Sequence, residues 1–106
     1  MPKYLMRGSY IGDGAAGLLK EGGSARVEAA TSAAASVGGT VECMYFAFGE
    51  TDVFGIGEFP DDASAAAFAL MANASGAMKV TTTPLMTAAD LDEAAKKSPT
   101  YRPPGA

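Results

Sequence analysis

Six polar side chains lie in stretches that are otherwise apolar: Ser9, Tyr10, Tyr45, Asp52, Asn73 and Thr81. Hydroxyls, a carboxamide and a carboxylate among apolar neighbours are the groups with which a small pocket orients a ligand. Ser9, Tyr45 and Asp52 are expected to converge on one sheet face. Asp52 offers the most chemistry. Its carboxylate would bind a substrate hydroxyl, or act as a base if burial raised its pKa. Arg7, Arg26 or Lys79 is available to neutralise it. The plainer account is turn chemistry, the carboxylate accepting backbone N–H groups. Thr81, sharing a face with Thr83 and Lys79, also fits simple strand propensity and cross-strand pairing. Asn73 also fits a cap on a nearby carbonyl. Both accounts stay open for each residue.

What is missing narrows the chemistry. The 106 residues include no histidine and no tryptophan, and one cysteine, Cys43. Without histidine the commonest general base and the commonest transition-metal ligand are gone. Zinc sites and Ser-His or Cys-His nucleophile pairs are excluded with it. Cys43 lies in a strand with no cation beside it in sequence, which reads as a small buried hydrophobe rather than a reactive thiol. No disulfide can form within the chain. Six methionines suggest adaptable packing before they suggest a pocket. Net charge is −4 and no basic run exceeds Lys96-Lys97, so nucleic acid is not an expected partner. No apolar run is long enough to span a bilayer, and the first residues lack signal-peptide features, so a cytoplasmic location without membrane partners is expected.

Gly12-x-Gly14-x-x-Gly17 follows a strand and opens a helix, as a dinucleotide fingerprint does. Three features argue against that use. A hairpin follows rather than a parallel βα unit, no acidic residue sits at a strand end about 20 residues on, and Asp13 would repel the phosphates. No cofactor is expected. The glycines then make a tight, mobile loop, or a flap over a pocket mouth.

The elements that must position these groups follow from periodicity. Lys3 to Tyr10 reads as a strand, with Tyr4, Met6, Gly8 and Tyr10 on one face and Leu5, Arg7 and Ser9 on the other. Asp13 is placed to cap a short helix through Lys20, and Ser24 to open a longer one. In the longer helix Val27, Ala30, Ala34 and Val37 form a narrow stripe able to approach a sheet closely. Thr40 to Phe59 reads as a hairpin turning at Gly49-Glu50-Thr51-Asp52. Strict alternation along its first strand puts Val41, Cys43, Tyr45 and Ala47 on one face and Met44, Phe46 and Phe48 on the other. Gly55 and Gly57 leave one face of the second strand bare. Pro60-Asp61-Asp62 starts a helix whose face is Ala65, Phe68, Met71, Ala72 and Ser75. Met78 to Thr83 reads as the fourth strand, with Pro84 ending it or marking an edge. Thr87 caps a last helix in a capping box with Asp90, Met86 and Leu91 forming a staple and Lys96-Lys97 in the final turn.

The order is β-α-β-β-α-β plus a terminal helix, an α+β ferredoxin-like domain over residues 1–98 with a tail over 99–106. Two helices cover one face of an antiparallel four-stranded sheet. The first hairpin strand is apolar on both faces, so the second face also needs cover. The expected cover is a second copy, giving a homodimer of the dimeric α+β barrel type or a higher homo-oligomer.

Gly8-Ser9-Tyr10, the glycine-rich run from Gly12 to Gly23, the segment Tyr45 to Asp52 and the stretch Thr82 to Thr87 resemble the GYD-domain family. The resemblance runs in order from about Lys3 to Lys97. Gly49-Glu50-Thr51-Asp52 is similar to the stretch that names the family, with Thr51 where a tyrosine is usual. The resemblance implies a ferredoxin-like fold related to dimeric α+β barrels and no established reaction. The expected function is therefore binding of a small apolar or aromatic molecule by a homo-oligomer. Two alternatives stay open: a cofactor-independent monooxygenase or isomerase using Tyr45, Asp52 and Asn73 on an aromatic or lactone-like substrate, and a structural oligomer without a pocket.

Overall fold

The computed structural model describes residues 1–106. The elements follow the expected order, with two helices in the first crossover: β1 (Lys3–Tyr10), α1 (Gly14–Glu21), α2 (Gly23–Ala35), β2 (Thr40–Phe46), β3 (Val53–Glu58), α3 (Asp62–Ala74), β4 (Met78–Leu85) and α4 (Ala88–Ala95). The sheet order is β2-β3-β1-β4, and every pairing is antiparallel. That is the ferredoxin-like arrangement. No helix is long and apolar enough to cross a membrane.

Several local expectations are corrected. Asp13 precedes α1 but its side chain makes no capping bond; its φ of −89° and ψ of 8° are not the extended geometry that lets a carboxylate reach back. The longer helix starts at Gly23 rather than Ser24, because Gly22, at φ 84°, turns the chain directly from α1 into α2. The hairpin strands are shorter than read, and six residues, 47–52, connect them. β4 runs through Pro84 to Leu85; it is an edge strand paired with β1 alone, where a missing N–H can face outward. Lys96 is the C-cap of α4 and no basic residue lies in its last turn.

The alternation along β2 is the main correction. Val41 pairs with Gly57, but the next partnered residue, Cys43, pairs with Ile56. Glu42 is therefore an extra residue in a β-bulge, and the facing of the strand resets there. Val41 joins Met44 and Phe46 on the helix side, opposite Gly57, Gly55 and Val53. Cys43 and Tyr45 lie on the other side with Ile56 and Phe54, beside Leu5 and Arg7 of β1.

The core is small. Tyr4, Ala34, Phe59 and Ala65 form its buried cluster, with Met6, Val37, Val41 and Phe68 packed against it. Ala34 lies in the last turn of α2 and Ala65 in the first turn of α3, so the two helices meet over the end of the sheet where β1 begins and β3 finishes. Small side chains let both helices come down there. The Phe59 ring fits because Gly39 and Gly57 have no Cβ; a Cβ on Gly39 would lie 2.5 Å from the ring. Elsewhere the helices diverge, α2 lying over β2 and α3 over β4.

Candidate functional site

The divergence of α2 and α3 leaves the middle of the sheet roofed by neither. A cavity of about 670 Å³ fills the space, floored by Met6, Gly8 and Gly55 and walled by Ala30, Phe68 and Met71. It runs from the Phe59 end to Tyr10, where α1 forms its far wall. Gly14 brings α1 in close: a Cβ there would sit 2.1 Å from the Ala77 carbonyl oxygen. The glycine-rich stretch is thus part helix and part cavity wall, with Gly17 and Leu18 also facing the space. At the rim, Arg26 is ion-paired to Glu21 at 3.6 Å.

Tyr10 stands at the far end of this space, which Asp13, Glu21, Arg26, Ser36 and Ser75 also line. Its ring lines the cavity, and its hydroxyl is buried without a hydrogen-bond partner. Leaving a hydroxyl dry and unpaired costs about 1–3 kcal/mol, so such a group is expected to have a use. The backbone of Tyr10 is held firmly. Its N–H donates to Asp52 Oδ2 at 2.9 Å. The Asp52 N–H in turn donates to the Gly8 carbonyl at 2.9 Å, and its carbonyl accepts from the Ala47 N–H at 2.7 Å. Asp52 closes the hairpin loop onto the end of β1. Its carboxylate serves a backbone N–H of another strand rather than of its own turn.

The other candidates lie apart from this space. Ser9 points to the opposite sheet face, and its hydroxyl donates to the Glu50 carbonyl at 3.1 Å. Tyr45 is 71% exposed on that same open face. Thr81, opposite Arg7 in the register, is exposed there too. Asn73 lies on the helix side, over β4. Its carboxamide accepts from the Val80 N–H at 2.7 Å and donates to the Val80 carbonyl at 3.3 Å. It pairs the free edge of β4 as one residue of a fifth strand would. Tyr45, Asp52 and Asn73 therefore do not share one cavity, and of the six candidates only Tyr10 and Asn73 are on the helix side.

A second, shallower cleft of about 370 Å³ lies between α3 and β4, beside Tyr4, Asp62, Asn73 and Thr82. The Tyr4 hydroxyl donates to Asp62 Oδ1 at 2.5 Å. This bond, with burial and the charges of Asp62 and Asp61, pushes the Tyr4 pKa up to about 12. Asp61 caps α3, accepting from the Ser64 N–H at 2.8 Å, and that bond holds its pKa below the ordinary carboxylate value. Neither Tyr4 nor Thr82 stood out in the sequence, since a tyrosine and a threonine in strands are ordinary.

The strands, the glycine-rich crossover, the hairpin turn and the Pro84 edge are now in place as one unit. The GYD-domain profile matches residues 4–95. The chain belongs to the GYD-domain family. The match spans β1 to α4, so the GYD domain here includes both the cavity and the uncovered sheet face. No curated protein and no solved structure matches the chain.

Proposed function

We propose that this GYD domain is a homodimer that binds a small, mainly apolar molecule in the cavity between its helices and sheet. The cavity carries the reading. Its volume falls in the range of about 300–1,000 Å³ usual for ligand pockets, and its walls are mostly apolar. The Tyr10 ring adds apolar wall at one end, while its hydroxyl is buried away from the open space.

The dimer part has separate support. Accessible surface is 7269 Å², against about 5,500 Å² for a compact monomer of 10.7 kDa, an excess of about 1,800 Å². Only eight of the 106 residues are buried, so the core within one chain is thin. Leu5, Cys43, Tyr45, Phe54 and Ile56 share the sheet face that no helix covers. A second sheet packed there would shelter them.

Native mass spectrometry of the dialysed protein, with organic extraction, tests the ligand. A stoichiometric co-purified molecule of the stated type is expected from the wild type. Gly55→Val projects into the cavity, where a Cβ meets the Cys43 carbonyl oxygen at 3.3 Å and little else. That variant is expected to fold and to lose the molecule. Equal retention by a folded Gly55→Val protein would sink the assignment of the site.

A further inference from the structure

Met6, Gly55 and Met44 form one row across the sheet. Gly55 of β3 pairs with Met6 of β1 on one side and with Met44 of β2 on the other, and all three line the cavity. The middle of the row is open. A Cβ on Gly55 would meet the Cys43 carbonyl oxygen at 3.3 Å and Met44 Cγ at 4.0 Å, with no atom of Met6 within 4 Å. Met6, Gly55 and Met44 are each half-buried, so each keeps surface for a guest to touch. A methionine that served only to fill space would fold over a bare glycine. Met78 does so over Gly8, where a Cβ would lie 2.7 Å from the Met78 methyl.

The dimensions of the gap suit an aromatic ring. Neighbouring strands lie about 4.8 Å apart, so the Met6 and Met44 backbones stand about 9.6 Å from one another, either side of Gly55. Side chains rise roughly perpendicular to a sheet, which carries that spacing upward. A thioether sulfur sits best about 5 Å from an aromatic ring, often at its edge. Two sulfurs on opposite edges of one ring therefore ask for about 10 Å, close to what two strand spacings supply. Leucine or valine in the row would serve a saturated guest as well; the polarisable sulfur adds a preference for a π-system. Overhead, α2 presents Ala29, Ala30 and Ala33, whose small side chains leave height above the floor. The charged groups that line the cavity, Asp13, Glu21 and Arg26, belong to α1, its N-cap and the first turn of α2, so none stands in the row.

We infer that the guest carries an uncharged aromatic ring, seated on Gly55 with the Met6 and Met44 thioethers at its two edges. The inference rests on the ligand reading above and names the class of molecule and the residues that choose it. The apolar walls hold any apolar guest of suitable size. Met6 and Met44 give a flat, unsaturated ring its advantage over a saturated one.

The compounds p-cresol and 4-methylcyclohexanol share a skeleton and a single hydroxyl and differ in the ring, so the pair serves as the probe. Each is titrated into the full-length protein after organic extraction, with the methionines carrying ¹³C-labelled methyl groups. Tighter binding of p-cresol is expected. Its ring current should move the Met6 and Met44 methyl signals and leave Met1 and Met86, which lie outside the cavity, in place. Met6→Leu and Met44→Leu keep the apolar volume and lose the sulfur. Each is expected to weaken p-cresol binding about two- to tenfold and to leave 4-methylcyclohexanol binding unchanged. Met6 packs against the buried cluster and Met44 does not, so Met44→Leu is the variant that carries the test if Met6→Leu disturbs the fold. Equal binding of the two rings, or unchanged p-cresol affinity in a folded Met44→Leu protein, would overturn the inference and leave the apolar-guest reading standing. Ring-current shifts confined to methionines outside the row would overturn it as well. Binding of neither compound, with no co-purified molecule in the untreated protein, would remove both readings.

Discussion

Asp52 and Tyr10 are joined by one hydrogen bond that ties the hairpin loop to the cavity: the Asp52 carboxylate accepts the Tyr10 backbone N–H at 2.9 Å. The bond fixes the end of β1, and so the ring that lines the cavity and the hydroxyl left without a partner. Asp52→Ala is expected to cost about 1–2 kcal/mol, because the part-buried N–H loses its acceptor. Asp52→Asn keeps an acceptor oxygen and should retain most of that stability. Urea unfolding of the two variants beside the wild type checks the order; equal midpoints for all three would remove the tie.

Tyr10→Phe separates binding from folding. It deletes a buried hydroxyl that has no partner, so the ligand-free protein should be no less stable and up to about 1–3 kcal/mol more stable. The co-purified molecule should be retained, because the hydroxyl has no surface open to the cavity and the ring that lines it is kept. Unfolding after organic extraction, with mass spectrometry before it, reads both effects.

Alkali should act through Tyr4. Its folded-state pKa of about 12 lies above the unfolded value of 10.0, so the folded state holds this proton more tightly. The resulting stability is fully present below pH 10 and is lost as pH rises from about 10 to 12. Tyr4→Phe is less stable at neutral pH, having lost the bond to Asp62, and should show a flatter decline across that window. Thermal unfolding at several pH values compares the slopes; parallel curves would show that Tyr4 does not carry the alkaline loss.

Gly39→Ala tests the seat of Phe59. The new Cβ would lie 2.5 Å from the ring and 2.9 Å from the Glu58 carbonyl oxygen. Backbone and an enclosed ring have little room to give, so a loss of about 1–3 kcal/mol is expected. Gly17→Ala, where no atom lies within 4 Å, is the control and should be neutral or slightly stabilising. Melting temperatures distinguish them.

Thr87→Ala removes one half of the α4 capping box. Since α4 is not packed within its own chain, helicity should fall with no change in the cooperative unfolding of the domain at low concentration. Circular dichroism at dilute and concentrated protein checks this. A drop in domain stability at the dilute end would show that α4 packs on its own chain after all.

Features set by a few adjacent residues were legible before the fold was known. Asp61 and Thr87 cap α3 and α4 because a side-chain oxygen needs only the backbone two or three residues ahead. The facing of β1 was readable from strict alternation, and the sheet order follows from the succession of elements. Asn73 and Tyr10 could be picked out as polar residues in apolar surroundings. Their uses could not, since Val80 and the cavity come to them only through the fold.

The chain's own residues determined that it would be a ferredoxin-like sheet with one face left open, because apolar periodicity and local caps act over a few residues. Tertiary structure decided the rest. Glu42 bulges because β2 must register against β3, and that single extra residue moves Val41 to the helix side. The cavity exists because α2 and α3 touch down together only at Ala34 and Ala65 and then part. Both outcomes depend on how distant segments fit against one another, which no local pattern of residue types encodes.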